Sequence, residues 1–347
     1  MGLATLAETP RSLGARSPHS IVTVTKSTES SEARFERDVH EGLGRVPKSL
    51  PSMYFYDEYG SALFAKIMTL QEYYPTRTER EILRRHAARM VAPFSGGSCD
   101  VVDLGAGNGE KTRLVLEQLR RASCDVRYVP LDISEDALLA ALDACTAHLP
   151  NLSAEGVVAE YTDGVRWLAE RDTDRHRLVL FLGSNIGNLD GAASREFLRG
   201  LRAGLRPGDH VLIGFDLLKE IELLKAAYAD ASGVTAAFNL NLLRRINREL
   251  DGTFELAGFR HYSTFSPSER RMESFLVSLR RQSVRVGHRR YDFEAWEPIH
   301  TEISCKYDVA AVSRLARDAG FTEVGHFSDE KRWFLDALWR VDEGNCT

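Results

Sequence analysis

Residues Val101–Thr112 read VVDLGAGNGEKT, and this stretch decides the fold. A short apolar segment leads into glycines at alternate positions, Gly105, Gly107 and Gly109, and a polar, helix-competent segment follows. Glycine has no Cβ, so it permits positive φ and lets a ligand approach the backbone closely. A strand, a glycine loop and a helix in this order open a doubly wound nucleotide-binding sheet. An ordinary strand-to-helix turn is the alternative interpretation.

The residue after the third glycine indicates which ligand the loop favours. Glu110 occupies the position at which the dinucleotide-binding fingerprint has Gly or Ala. Because a helix N-terminus attracts anions, a glutamate there would repel a pyrophosphate. The loop therefore suits a ligand without phosphate, such as S-adenosylmethionine (SAM), and disfavours an NAD-dependent oxidoreductase.

The segments around this loop alternate between strand and helix patterns, which is typical of an α/β sheet. The predicted strands are Val101–Leu104, Val126–Leu131, Gly156–Tyr161, Leu178–Leu182 and His210–Phe215. The predicted helices between them are Lys111–Arg121, Glu135–His148 and Ser194–Leu205. A helix and two strand-like stretches near the end are similar to the terminal hairpin of SAM-dependent methyltransferase sheets, at Val309–Ala319, Thr322–Phe327 and Phe334–Val341.

After Asp216 the pattern changes. The predicted elements there are two helices and an antiparallel strand pair, at Leu217–Tyr228, Val234–Leu250, Thr253–Phe265 and Met272–Val286. We therefore expect an α/β fold, in which a Rossmann-like SAM-dependent methyltransferase sheet is interrupted by an inserted α+β substrate-binding subdomain. The predicted organisation is a disordered tail at 1–33, a substrate-binding or lid subdomain at 34–77 plus 217–306, and a SAM-binding methyltransferase domain at 78–216 plus 307–347.

The composition narrows the class of protein. Among 347 residues, 43% are hydrophobic and 27% charged, as in a soluble globular protein, and the net charge of −5 gives no basic field for nucleic acid. We find no apolar run long enough to span a membrane and no apolar segment typical of a secretory signal. Five cysteines without a CxxC pair indicate reduced thiols in the cytoplasm, and the scattered histidines indicate no metal site.

Polar positions near the predicted strand ends are candidates for binding SAM. Asp132 ends the second strand, where a carboxylate can accept hydrogen bonds from both ribose hydroxyls, although it could instead cap the next helix, as Ser134 could. Glu160 could accept from an adenine amine while the Tyr161 ring packs on the base. Lys111 lies in the first turn of a helix, where the dipole disfavours a cation, and this indicates a carboxylate ligand nearby. For Glu160 and Tyr161 the alternative is a solvated strand end, and for Lys111 it is a solvated surface position.

Two further motifs carry polar side chains that could bind a substrate. FLGSNIGN, at 181–188, follows an apolar strand, and its Asn188 could bind a carboxylate through its NH₂ group. In TEISCKY, at 301–307, alternation places Glu302 and Ser304 on one side of a strand, where they offer an acceptor and a hydroxyl to a polar ring. A solvated strand face is the alternative.

Together, these motifs resemble those of the histidine Nα-methyltransferases of ergothioneine biosynthesis, from about Phe35 to Arg340. The resemblance rests on Tyr56-Asp57 with Gly60-Ser61 and Leu63-Phe64, EYYPTRTE at 72–79, DLGAGNGEKT at 103–112, FLGSNIGN, GVTAAFN at 233–239, NREL at 247–250 and TEISCK at 301–306. It implies SAM as the methyl donor and three successive methylations of the α-amine of L-histidine, which give the betaine hercynine.

The resemblance also implies a role for each matching position. SAM would be held by Gly105, Lys111, Asp132, Glu160 and Tyr161, with Tyr56 close to the methyl donor and the amine. The substrate carboxylate would contact Asn188 and Tyr228, the imidazole would contact Tyr73, Glu302 and Ser304, and Phe238 would help to wall the pocket. The partner is then a small-molecule amino acid, with no nucleic acid, membrane or metal, and we expect a cytoplasmic monomer.

Three positions depart from the family pattern. Glu160 stands where Asp is more frequent, Asn185 where actinobacterial members commonly have Thr, and Ser274 where they have a Met that lines the side-chain pocket. A serine there enlarges and polarises the pocket, which leaves open a SAM-dependent Nα-methyltransferase of another aromatic amino acid, tryptophan or tyrosine. Glu302 favours histidine, because a buried carboxylate needs an N–H partner and imidazole supplies one. A non-catalytic SAM-binding module is the alternative of another class.

Overall fold

A computed structural model describes residues 7–11, 20–25 and 30–342. Within them the chain divides into two compact units. The first, which we call the sheet unit, holds Pro75–Leu217 with the described residues before position 27 and those from Tyr307 onward. The second, the insert unit, holds residues 30–74 and Leu218–Lys306. Each unit has its own cluster of buried apolar side chains.

The described residues form fifteen β-strands and ten α-helices. The strands are β1 (Ala7–Arg11), β2 (Ser20–Thr25), β3 (Lys48–Ser49), β4 (Ser98–Leu104), β5 (Asp125–Asp132), β6 (Ser153–Val158), β7 (His176–Phe181), β8 (His210–Asp216), β9 (Phe259–Ser266), β10 (Arg271–Ser278), β11 (Gln282–Val286), β12 (Arg289–Phe293), β13 (Pro298–Cys305), β14 (Thr322–Ser328) and β15 (Phe334–Arg340). The helices are α1 (Ser31–Gly44), α2 (Glu58–Ile67), α3 (Tyr74–Met90), α4 (Glu110–Arg121), α5 (Glu135–His148), α6 (Tyr161–Glu170), α7 (Gly191–Ala203), α8 (Ile221–Tyr228), α9 (Val234–Glu249) and α10 (Val309–Asp318).

The sheet unit is built on a nine-stranded sheet with the order β1-β2-β6-β5-β4-β7-β8-β15-β14. The strands from β2 to β8 in this order are parallel, and β15 then joins antiparallel to β8. From β4 the chain moves outward through β5 and β6 and then crosses to β7, on the other side of β4. In doubly wound sheets a ligand binds at the carboxyl ends of the strands where the order reverses in this way.

The apolar pattern of the sequence explains these elements. β4 is buried along nearly its whole length, as expected for a central parallel strand that is covered on both faces. In α4 the buried side chains recur one turn apart, at Thr112, Val115, Leu116 and Leu119, so one stripe of the helix packs inward. The predicted α/β class and the parallel core of the sheet are confirmed.

The insert unit has a four-stranded sheet, β3-β13-β10-β9, and a separate hairpin of β11 and β12. Here the prediction of one strand over Met272–Val286 is wrong, because β10 ends at Ser278 and β11 belongs to the hairpin. The Leu279 N–H bonds instead to the Gly258 carbonyl at 2.9 Å, and the Ser278 hydroxyl bonds to the Arg280 carbonyl. This turn has no glycine or proline, so apolar alternation did not reveal it.

Two strands lie in the segment predicted as a disordered tail. β2 pairs in parallel with β6, with Ser20 opposite Glu155, and β1 pairs antiparallel with β2. Ile21 and Val24 are buried. The prediction of a tail over 1–33 is wrong for these strands, because β-branched residues at 21–25 supply the apolar side chains that an added strand needs. The other residues of this segment before position 30 lie outside the described residues.

The first predicted domain boundary, at residue 77, lies inside helix α3. The helix already begins at Tyr74, and Pro75 is tolerated there because the first helical turn needs no N–H from it. Among the described residues, no helix is long and apolar enough to cross a membrane. No group of three or more His, Cys, Asp or Glu side chains in that part of the chain is placed to hold a metal ion.

Candidate active site

The glycines of the loop after β4 all have positive φ, at 77° for Gly105, 53° for Gly107 and 69° for Gly109. A Cβ on Gly105 would lie 2.6 Å from the Tyr161 hydroxyl and 2.8 Å from the Asn185 amide nitrogen. Beside Gly107 the space is open among the described residues, so only the backbone conformation excludes a side chain there. The loop therefore packs its backbone against side chains at one end and leaves room for a ligand beside Gly107.

Asp132, the last residue of β5, is held by the backbone around it. Its Oδ2 accepts from the Gly107 N–H at 3.2 Å, and its Oδ1 accepts from the Ser134 N–H at 3.0 Å. Ser134 caps α5 by accepting from the Ala137 N–H, so Asp132 is not that cap. Burial raises the pKa of Asp132, although the backbone N–H groups oppose the shift. The oriented carboxylate could accept from the two hydroxyls of a ribose.

Glu160 and Tyr161 occupy the turn after β6. The prediction that the strand extends to Tyr161 is wrong: β6 ends earlier, and Tyr161 is the first residue of α6. The Gly164 N–H closes this first helical turn onto the Glu160 carbonyl at 2.8 Å. The Tyr161 ring packs edge-on against Phe181, with 5.1 Å between centroids, and burial raises the pKa of its hydroxyl. The hydroxyl therefore stays protonated at neutral pH.

Lys111 already has a carboxylate partner within the protein. Its ammonium, in the first turn of α4, donates to Glu79 Oε2 at 2.6 Å. Glu79 is fully buried, and its oxygens also accept from the Gly183 N–H at 2.7 and 3.0 Å. Burial, and next the charge of Glu79, raise the pKa of the buried Asp336 nearby. Because Lys111 is already paired with Glu79, a cofactor carboxylate that binds Lys111 would be the second anion at this ammonium.

The loop after β7 lies on the other side of the switch point. It continues into a 3-10 helix at Asn185–Asn188, and Ser184, just before it, accepts a hydrogen bond from the last residue of β8. The Asn185 amide lies beside Gly105. Asn188, which closes the turn, is exposed. The sheet unit thus holds Asn185 against the glycine loop and leaves Asn188 accessible to a ligand.

These groups fit SAM. The carboxylate of Asp132, the open backbone at Gly107 and the Lys111 ammonium match the ribose diol, the nucleoside and the amino-acid carboxylate of that molecule. Glu110 opens α4 and forms an ion pair with Arg80, so an anion already stands where a pyrophosphate would bind. The donor set of the sheet unit suits a nucleoside that has a carboxylate and no phosphate.

In the insert unit, Tyr56, Tyr73 and Phe238 converge on Phe64. Its ring centroid lies 5.5 Å from that of Tyr56, 6.1 Å from that of Tyr73 and 5.8 Å from that of Phe238. Tyr56 also meets Phe238 edge-on, with 5.5 Å between centroids. Aromatic faces attract ammonium groups, so this cluster suits an amine that becomes a permanent cation.

Asp57 fixes the turn that carries Tyr56. It caps α2 by accepting from the Gly60 N–H at 2.8 Å, and it accepts from the Asn241 amide of α9 at 2.7 Å. Although burial raises the pKa of Asp57, hydrogen bonds from Arg248, Gly60 and Asn241 hold it below its usual value. The ionised carboxylate therefore ties the turn to α9.

A polar cluster lies where β13 meets the end of α8. The Lys306 ammonium donates to the Tyr228 hydroxyl at 2.9 Å and to the Ser304 hydroxyl at 2.8 Å, and these two hydroxyls are 2.7 Å apart. Glu302 accepts from the Ser274 hydroxyl at 3.3 Å. Burial raises the pKa of Glu302 to about 7, while the Lys306 charge and the Ser274 hydrogen bond oppose the rise. Glu302 therefore changes charge near neutral pH.

Phe64, Glu79 and Lys306 belong to these clusters and had no predicted role. Each lies in a motif quoted above. Alternation could have revealed Lys306, since residues 302, 304 and 306 share one side of the chain. The partners of Glu79, Lys111 and Gly183, are distant in sequence, so no local pattern pointed to it.

The fold and the site together define a SAM-dependent methyltransferase. A family model described as "Histidine-specific methyltransferase, SAM-dependent" matches residues 35–341. The chain belongs to this family, as the sequence motifs predicted.

Curated relatives agree with this assignment. The histidine N-alpha-methyltransferase of Mycolicibacterium smegmatis is 40% identical over 305 residues, which are 87% of this chain and 94% of the relative. The ergothioneine biosynthesis protein 1 of Neurospora crassa is 31% identical over 307 residues, which are 84% of this chain and 33% of that protein. The L-tryptophan methyltransferase of Psilocybe serbica is 26% identical over 347 residues, covering 92% of this chain and 96% of the relative.

Proposed function

We propose that the protein transfers three methyl groups in succession from SAM to the α-amine of L-histidine and releases hercynine, as a step of ergothioneine biosynthesis. One observation carries the choice of histidine. Glu302 is a carboxyl whose pKa burial raises to about 7, and such a group needs an N–H donor when it ionises. An imidazole ring supplies that donor, and the relative of 40% identity is named for histidine.

In this proposal the sheet unit binds SAM. Asp132 accepts from the ribose hydroxyls, Glu160 accepts from the adenine amine, and Lys111 donates to the carboxylate. Gly105 and Tyr161 shape the loop against which the nucleoside packs. SAM supplies a methyl group on a positively charged sulfur, from which the lone pair of an amine can take it by in-line displacement.

Asn188 and Tyr228 bind the carboxylate of the amino acid. The Lys306 ammonium, 2.9 Å from the Tyr228 oxygen, supplies the positive charge that an anion needs in a buried place. Lys306 donates to the hydroxyls of Tyr228 and Ser304, and the Tyr228 hydroxyl donates its own proton to Ser304 Oγ at 2.7 Å. The Ser304 proton is therefore directed toward another acceptor. In the complex, the carboxylate of the substrate replaces Ser304 Oγ as the acceptor for the Tyr228 hydroxyl.

The imidazole ring binds to Tyr73, Glu302 and Ser304, and Phe238 forms an apolar wall. Ionised Glu302 accepts from a ring N–H, while a hydroxyl can serve the other ring nitrogen. Ser274 already donates to Glu302 at 3.3 Å, so the carboxylate is oriented before the substrate arrives.

The amine must be neutral when it attacks. Desolvation lowers the pKa of an amine, and the Tyr56 hydroxyl orients its lone pair without a dedicated strong base. Because the carboxylate of the substrate is bound away from the reacting nitrogen, the amine can rotate between successive methylations. We expect Tyr56→Phe to lower the rate constant of methyl transfer about tenfold or more in single-turnover assays. Unchanged rates of all three methylations would exclude a role for this hydroxyl.

Turnover assays test the proposal. We expect incubation with SAM and L-histidine to give mono-, di- and trimethylhistidine in sequence by mass spectrometry, and hercynine itself to accept no further methyl group. L-Tryptophan is the second candidate substrate, favoured by the small Ser274 side chain in the pocket. Methylated tryptophan without hercynine would select it, and SAM binding without turnover on any amino acid would indicate a non-catalytic module.

We further propose that the enzyme is a cytoplasmic monomer whose partner is a free amino acid, not nucleic acid or a membrane. The four described cysteines are all free thiols, which supports a reducing compartment. Light scattering after size exclusion measures the mass, and a value twice that of the chain would contradict the monomer.

A further inference from the structure

A row of polar side chains crosses the sheet of the insert unit. Ser263 of β9 lies directly opposite Ser274 of β10, which lies opposite Glu302 of β13. Directly paired residues of antiparallel strands project from the same face, so these three side chains are neighbours. His261 lies two residues before Ser263 and shares that face.

The opposite face of β9 differs. Tyr262, between His261 and Ser263 in the chain, is 55% exposed and its ring lies near that of Phe275. Leu276, which is paired with His261, is fully buried. The row of polar groups therefore projects toward the interior of the insert unit, where an apolar side chain would be the ordinary choice.

Two atoms of this row lack a protein partner. Ser263 Oγ and His261 Nε2 are buried and have no hydrogen-bond partner among the described residues. Buried polar atoms are nearly always satisfied, and leaving one unsatisfied is unfavourable. Burial lowers the pKa of His261 to about 4, so its ring is neutral and has one donor and one acceptor nitrogen. A ligand group that both donates and accepts would satisfy these atoms.

We propose that Ser263, His261 and Ser274 form a subsite beside Glu302 that binds the hydroxyl of a phenolic amino acid, so that the enzyme also methylates L-tyrosine. This inference rests on the proposed function, because it assigns a further substrate class to the same pocket. A hydroxyl is small, neutral, and both donor and acceptor, whereas a charged substituent would be excluded by desolvation. The phenol oxygen of tyrosine extends farther from Cβ than either imidazole nitrogen, which suits a group beyond Glu302.

The reaction at the α-amine is the same for both substrates. The nitrogen lone pair forms the N–C bond as the S–C bond breaks, its electrons stay on sulfur, and the amine loses its proton to solvent. The subsite therefore acts on substrate choice, and its effect belongs in kcat/KM ratios between substrates that differ only in the hydroxyl.

The test compares L-tyrosine with L-phenylalanine, which lacks that hydroxyl, and uses L-histidine as the reference. For the unaltered protein we expect kcat/KM for tyrosine to exceed that for phenylalanine about tenfold, as one or two hydrogen bonds give. In Ser263→Ala this ratio falls toward one, while kcat/KM for histidine changes less than about twofold. Thr264→Ala, on the opposite face of β9, is the matched control and keeps the ratio.

Each outcome decides one proposal. Equal kcat/KM for tyrosine and phenylalanine would contradict the subsite, and so would a tyrosine preference that remains in Ser263→Ala. If histidine is methylated in the same experiment, the proposed function still holds. Tyrosine turnover without histidine turnover supports the subsite and contradicts the proposed function. Ser263→Cys, which keeps the size and weakens the hydrogen bond, gives an intermediate ratio if the subsite exists and an unchanged ratio if it does not.

Discussion

Within the polar cluster of the insert unit, Lys306 is the cation that acts on Glu302. A cation favours the ionised form of a carboxyl, so Lys306→Met should raise the pKa of Glu302 further above about 7. We expect kcat/KM for histidine to rise as the pH increases through that range, because the ionised carboxylate is the better acceptor. In Lys306→Met this acid limb moves to higher pH.

The pH dependence of kcat/KM separates this role from a structural one. Lys306→Arg keeps the charge and should keep the limb near its original position, and Lys225→Met on the exposed side of α8 should leave it unmoved. Glu302→Gln should remove the part of the rise that lies near pH 7 and leave the part that is due to loss of the proton of the substrate amine. A limb that stays in place in Lys306→Met contradicts the role of this cation.

At the scale of single residues, chemistry is predictable where one polar residue stands in an apolar context. Asp132 at the end of a strand is such a position. Its carboxylate lies beside the glycine loop, and its binding of ribose stays a prediction. Glu79 is different, because its meaning depends on Lys111 and Gly183, which only the folded chain brings to it. Networks whose members are far apart in sequence stay invisible until the fold is known.

Among the elements, the glycine loop offers a comparison of two positive-φ positions. Gly105→Ala places a Cβ 2.6 Å from the Tyr161 hydroxyl, whereas Gly96, with φ of 70°, has open space around it among the described residues. Both variants incur the left-handed strain of about 1–2 kcal/mol, but only Gly105→Ala also displaces the loop. We expect Gly105→Ala to weaken SAM binding about tenfold or more by calorimetry and Gly96→Ala to leave the Kd unchanged. Equal Kd values in the two variants would contradict this role of the loop.

The first N–H groups of helix α9 donate to the side chain of Asp230, which lies four residues before the helix begins. Asp230 accepts from the Val234 N–H at 2.9 Å and from the Thr235 N–H at 2.7 Å. Asp230→Ala leaves these donors without the side chain, and we expect the free energy of unfolding to fall by about 1–2 kcal/mol in urea at neutral pH. Glu269→Ala, at an exposed turn of the same unit, should change it little.

The acid range checks the cause of this effect. Burial raises the pKa of Asp230, but hydrogen bonds from Ser232, Thr235 and Val234 outweigh it and lower the pKa to about 2. A lowered pKa means that the stabilisation is fully present above the ordinary value of 3.8 and is lost as the pH falls from there through about 2. The difference between the two proteins should therefore shrink in that range, and a constant difference would indicate another cause.

Helices and strands were predicted correctly where apolar residues recur with one clear period. The prediction failed where a turn has no glycine or proline, or where a strand is short. Amphipathic spacing placed α4 and α5 almost at their observed ends. The alternation across Ser278 continued through an unmarked turn, so β10 and β11 were predicted as one strand. β2 was overlooked because its polar flanks dominated the composition of the segment, although Ile21 and Val24 are buried.

For the whole molecule, SAM should stabilise the sheet unit by mass action. At a concentration of about 100 Kd, a ligand that binds only the folded state adds about 2.7 kcal/mol to the free energy of unfolding. Of the four tryptophans, Trp296 alone lies in the insert unit and the other three lie in the sheet unit. In Trp296→Phe, tryptophan fluorescence therefore reports on unfolding of the sheet unit. Asp132→Asn should lose most of the SAM-dependent gain, while Asp143→Asn, exposed on α5, should keep it. A gain that persists in Asp132→Asn contradicts the ribose contact.

The division of the insert unit into residues 30–74 and Leu218–Lys306 has a consequence for synthesis of the protein. A ribosome makes α1 well before α9, yet Phe35, Val39 and Leu43 are buried in a cluster that draws many of its other members from residues 238–299. The early part of this cluster stays incompletely covered on the nascent chain while strands β4 to β8 are translated, and exposed apolar surface of this kind favours aggregation. Chaperone supply and translation rate should therefore govern the yield of this enzyme more than its final stability does.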